Sequence, residues 1–101
     1  MRPATATSAA VMIMASLAAG PKHGWAIMTD VQAMCSIRLG PGTLYAAISQ
    51  LEAAGFVQAL AADGRRRPYR LTDQGEAALR AQLRVLSGVL TASAHRLANA
   101  P

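Results

Sequence analysis

The chain has 101 residues, ten Lys and Arg against five Asp and Glu, a formal charge of +5 and a sequence pI near 10.7. This length makes one domain, whose core a second subunit would help to complete. The charge points to a polyanionic partner without separating DNA, RNA and anionic lipid. A single cysteine, Cys35, excludes an internal disulfide, and no Cys/His spacing suits zinc or another metal. Cys35 reads as a structural thiol, and a reducing cytoplasm is the expected location.

Residues 9–19 form an almost unbroken apolar run behind Arg2, imitating the start of a secretory signal. The run is too short for a membrane span of about 20 residues. Met12, Ala15 and Ala19 recur at helical spacing and Gly20-Pro21 closes the segment, so the first core helix is expected to start at Thr7 or Ser8 and end at Ala19. With almost no polar face, it must be covered on both sides. A second helix is expected over residues 23–34, with Ile27, Val31 and Met34 as its core stripe. Thr29, Asp30 and Gln32 fall off that stripe, and Trp25 is expected to anchor the core between helices.

Gly40-Pro41-Gly42 breaks the chain, and Thr43 is a suitable N-cap for a helix over residues 43–54. Leu44, Ile48 and Leu51 commit one face to the core, leaving Thr43, Tyr45, Ala46, Ser49 and Gln50 elsewhere. Such a helix is about 18 Å long and fits a major groove about 12 Å wide. Taken alone, the stretch suits a helical hairpin packed inside any small protein at least as well.

After Gly55 the pattern changes to a strand over residues 56–61, a turn at Asp63-Gly64 and a returning strand over 67–71. Pro68 confines the returning strand to an edge or to its first residues. Arg65-Arg66-Arg67 sits at the tip with only Asp63 to balance it. A charge run is usually a solvated surface, but one on a protruding hairpin suits phosphate or minor-groove contact. Thr72 then caps a last helix that carries Asp73 and Glu76 in its first turn. Leu79, Leu83, Leu86, Leu90, Ser93 and Leu97 alternate steps of four and three, a coiled-coil seam with a polar gap at Ser93 and a weak point at Gly88. No nucleophile, base and acid constellation is present, so neither an enzyme nor a cofactor is expected.

Three blocks, Gly20-Pro21-Lys22-His23-Gly24-Trp25-Ala26-Ile27, Gly42-Thr43-Leu44-Tyr45 with Leu51 to Val57, and Gly64 to Gly75, together resemble the PadR family of bacterial transcriptional regulators. The first is similar to the family's Gly-Pro-x-His-Gly-Tyr-x-Ile segment. The second resembles its recognition-helix block, and the third resembles its wing and the entry to the last helix. Trp25 stands where the family has tyrosine, Ala46 where proline is common, and Pro68 where the wing is basic.

The expected fold is mainly α with a small β-hairpin: a winged helix-turn-helix unit over residues 1–71, with the wing at about 56–71, and a dimerisation helix over 72–101. The resemblance implies a homodimeric repressor in the compact form with one C-terminal helix. The expected contacts to double-stranded DNA are Lys22, Thr43, Tyr45, Ser49, Gln50, Arg65, Arg66 and Arg67. His23 ranks below them as a residue that holds the fold. Met12, Leu79, Leu83, Leu86, Leu90 and Leu97 are the expected dimer contacts, and Trp25 is the residue a small-molecule effector would meet. The alternative is a helical interaction module whose basic hairpin docks an acidic protein or a membrane surface.

Overall fold

The structure, a computed structural model, describes residues 4–101, with the side chains of residues 9–101. Arg2, the signal-like start of the apolar run, and the side chains of Thr7 and Ser8 lie outside the described residues. The elements run α1 (Ala4–Leu17), β1 (Lys22–His23), α2 (Gly24–Cys35), α3 (Pro41–Ala53), β2 (Val57–Ala59), β3 (Pro68–Leu71) and α4 (Asp73–Ala98). This is the expected winged helix-turn-helix order with a long final helix.

α1 is the centre of the core. Ala9, Met12, Ile13, Met14 and Leu17 are all buried, because α2, α3, α4 and β3 each pack against it. Met12, expected at the dimer contact, is therefore enclosed by its own protomer. Among the described side chains of this helix the one buried polar residue, Ser16, donates from Oγ to Asp30 Oδ2 at 2.6 Å. Lys22 completes the link between α1 and α2. Its Nζ donates to the Ser16 carbonyl and lies 3.8 Å from Asp30 Oδ2.

α2 buries Gly24, Ile27 and Val31. Two expectations fail here. Trp25 is 69% exposed, since one residue of rotation from Gly24 takes it off the buried stripe, and it does not anchor the core. Met34 is 48% exposed because it falls in the last turn, just before Ser36 closes the helix in a left-handed conformation (φ 58°, ψ 29°). The helix starts at Gly24, close to the expected His23. His23 has extended backbone and is its N-cap, with Lys22 and His23 forming a short strand that the sequence pattern did not show.

α3 begins at Pro41, with Gly40 as N-cap, and not at a cap on Thr43. Proline suits the first helical position because it has no N–H to leave unpaired and its φ is already helical. At the far end Gly55 takes a φ of +81°, a conformation that favours glycine, and the Phe56 amide returns to the Leu51 carbonyl at 2.9 Å.

The sheet is three-stranded and antiparallel in the order β1-β3-β2, pairing Lys22 with Tyr69 and Val57 with Leu71. β3 is thus the middle strand. Pro68 is tolerated there as its first residue, not as part of an edge. Thr72 Oγ1 donates to the Gly55 carbonyl at 2.6 Å and accepts from the Gly75 amide at 3.0 Å, so one side chain caps α4 and pins it to the end of α3. Only Gly75 and Leu79 of α4 are buried. Ala81, Gln82, Leu83 and Val85 still border grooves against α1, α3 and β3, and the helix beyond them stands free, giving principal extents of 57 × 26 × 26 Å.

Candidate nucleic-acid interface

With Leu44, Ala47, Ile48 and Leu51 buried, the exposed arc of α3 is fixed by rotation of about 100° per residue. Gly42, Ala46, Ser49 and Ala53 point most directly away from the core. Thr43 and Gln50 lie on one shoulder of that arc, and Tyr45 and Glu52 on the other. The four expected α3 contacts are therefore not one cluster. Ser49 is central, and Gln50 borders a groove that also includes Val11, Leu51, Phe56 and Val85. Ala46, which helical periodicity already places off the core face, occupies a more central place than Tyr45.

Tyr45 is half-exposed, and its phenol end lies over Gly24. A Cβ on Gly24 would sit 2.8 Å from Tyr45 Cζ and 3.2 Å from Leu44 Cδ2, so the glycine lets α2 and α3 close on each other. On this side α3 also adjoins the wing. Burial raises the Tyr69 hydroxyl above the usual tyrosine range; the Glu52 carboxylate and Tyr45 push it the same way, against the lowering influence of Arg67.

The wing tip closes at an isolated bridge between Asp63 and Arg66, with Asp63 N–H donating to the Arg66 carbonyl at 2.7 Å. All three arginines are exposed, and none pairs with a carboxylate among the described residues. They differ in what holds them. Arg67 donates to the Leu60 carbonyl at 2.9 Å and braces the wing, Arg66 reaches His23 at 3.4 Å, and Arg65 stands at the apex. Lys22 does not join this surface, since its ammonium is directed inward to Ser16 and Asp30.

On α4, Leu79 is buried in its own protomer, whereas Leu83, Leu86, Leu90 and Leu97 are exposed, the last two at 70% and 77%. Val85 and Val89 extend the same apolar surface. Trp25 lines a separate cavity with Met28, Arg38, Leu39 and Pro41, between α2 and the start of α3. Among the described residues no group of His, Cys, Asp and Glu could hold a metal ion, and no helix is long and apolar enough to cross a membrane.

Comparison with known proteins agrees with this architecture. The model of the transcriptional regulator PadR-like family matches residues 13–81. A PadR family transcription regulator from Clostridium difficile superposes with a TM-score of 0.80 at 19% identity, covering 88% of this chain and 97% of that one. A putative transcriptional regulator from Thermoplasma acidophilum gives 0.78 at 20% identity over 96% and 97% of the two chains. An uncharacterized 37.1 kDa protein in a transposon of Streptomyces fradiae is 43% identical over 67 residues, 66% of this chain. The matched segment spans only 19% of that longer protein. With a family model matched over more than half its length and the same helical order, small sheet and wing, the chain belongs to the transcriptional regulator PadR-like family.

Proposed function

We propose that the protein is a homodimeric repressor that binds a palindromic operator, with residues 1–71 contacting DNA and residues 72–101 forming the dimer. One observation carries the DNA-binding reading: a helix with a small, exposed outer face adjoins a wing bearing three arginines that no carboxylate among the described residues neutralises. Small side chains let the backbone of α3 approach the floor of a major groove. There Ser49 and Gln50 reach base edges and Ala46 meets a thymine methyl. Thr43 and Tyr45 serve the flanking phosphates, and Arg65 and Arg66 contact the backbone beside them. Lys22 acts inside the fold.

The dimer reading rests on α4. A run of exposed leucines and valines along a free helix is uncommon on a monomer and matches the seam of a helix pair. Leu83, Leu86, Leu90 and Leu97 are its core, and Leu79 anchors the helix to its own protomer. Release by a small molecule is proposed at the cavity beside Trp25, where a planar ligand would lie against the start of α3. A two-fold dimer presents two equal copies of α3, so half-sites should lie about 34–36 Å apart or at a multiple of that spacing. Selection of bound sequences from a random duplex pool, followed by footprinting, tests this reading. Two inverted half-sites support it, and a single asymmetric site protected at full affinity contradicts it.

A further inference from the structure

The start of α2 and the wing meet at His23. Its Nδ1 accepts the Ala26 amide hydrogen at 3.4 Å, supplying the acceptor that the first turn of a helix lacks. A neutral imidazole carries one ring proton, so capping through Nδ1 leaves that proton on Nε2. Nε2 lies 3.4 Å from a terminal nitrogen of Arg66, a group that only donates. Two N–H donors therefore face one small space, and Arg66 has no carboxylate partner among the described residues. The opposite tautomer would let Nε2 accept from Arg66 but would strip the Ala26 amide of its acceptor. The part-buried amide needs that bond more than an exposed guanidinium, which water can serve.

We propose that His23 and Arg66 form a two-donor clamp for a backbone phosphate of duplex DNA, closing on one phosphate oxygen that accepts from both. The proposal rests on the DNA-binding reading and adds His23 to it as a residue that both caps α2 and touches the nucleic acid. The shared phosphate would tie the wing to α2 when the duplex is bound. Because an imidazole that accepts through Nδ1 carries no charge, its share is a hydrogen bond to a charged acceptor without counterion release. Losing it should weaken binding about tenfold per protomer on every sequence alike.

Two measurements test the clamp. The first is the 15N NMR tautomer of His23 in the free protein. The second is binding of a labelled random-sequence duplex of about three helical turns, at two salt concentrations, by the native protein, His23→Asn, Arg66→Ala and the double variant. Asparagine keeps the N-cap through its carbonyl oxygen but is too short to replace Nε2–H, and His23→Ser serves as a second variant that preserves the cap. The expected results are the Nε2–H tautomer, native Tm for His23→Asn, and about tenfold weaker binding per protomer with an unchanged salt slope. Arg66→Ala should lower the slope by about one per chain. The double variant should lose less than the two single losses multiplied, because both donors serve one oxygen. An Nδ1–H tautomer, or native affinity in both cap-preserving variants, overturns the clamp while leaving the DNA-binding reading intact. A native protein that ignores the duplex overturns both.

Discussion

Two glycines of α4 meet opposite surroundings, and the same substitution should therefore have opposite effects. A Cβ on Gly75 would press into the Phe56 carbonyl and lie 2.7 Å from Leu71 Cδ1 and 2.9 Å from the Phe56 carbonyl carbon. Backbone cannot rotate away as a side-chain tip can, and Thr72 holds this junction from both sides through Gly55 and the Gly75 amide. Gly75→Ala should cost about 1–3 kcal/mol, the usual range for overpacking. At about 4–8 °C per kcal/mol, its Tm falls well below the native value. Gly88 has nothing within 4 Å of a built Cβ and lies about 200° around the helix from Leu86, away from the leucine seam. Gly88→Ala should stabilise by about 0.5–1 kcal/mol, through the helix propensity of alanine and the reduced freedom of the unfolded chain. Thermal and urea unfolding at one fixed protein concentration read both, since a dimer's Tm depends on concentration. Equal stability of Gly75→Ala and the native protein, or a loss at Gly88, would refute the packing described for α4.

If α4 forms the proposed dimer, Leu86→Asp or Leu90→Asp should give monomer at micromolar concentration, seen by sedimentation, because each places a charge in the seam. Arg65→Ala should weaken binding to all duplexes and reduce the salt slope by about one per chain, whereas Ser49→Ala should leave the slope unchanged and reduce discrimination between operator and random duplex by roughly 1–3 kcal/mol. Tyr69 predicts an alkaline limit. Its hydroxyl is raised above the ordinary value of 10.0 by burial, then by Glu52 and Tyr45, so folding favours the neutral form. That contribution is complete below pH 10 and is lost as pH rises through the folded pKa. Tyr69→Phe should flatten the decline in urea stability above about pH 10, and an unchanged decline would contradict the assignment.

Much of the architecture was legible because it rests on periodicity and breakers. Leu44, Ile48 and Leu51 mark the buried face of α3, and Thr72 caps α4. The features that escaped notice depend on tertiary partners. A two-residue strand at Lys22 and His23 has no pattern of its own and exists because β3 pairs with it. Trp25 reads as a core anchor, yet the smaller Gly24 beside it is buried, since close approach of Tyr45 leaves no room for a side chain. Met12 and Leu79 sit on apolar stripes that continue into solvent, and sequence cannot show where the protomer's own core ends along such a stripe. In the interface, polarity was too strong a guide. It ranked Lys22, whose charge is held within the fold, among the contacts, and left out Ala46, which periodicity had placed on the exposed face.

The central claim is that two copies of α3 and of the wing grip duplex DNA, and its most direct measurement is the affinity of the native protein for a selected operator as salt is raised. If Arg65 and Arg66 on each of two wings meet phosphates, about four contacts are made, and affinity should fall roughly 10²-fold between about 50 and 200 mM salt. Binding that barely changes over that range, or no binding to duplex at either salt, would contradict the account.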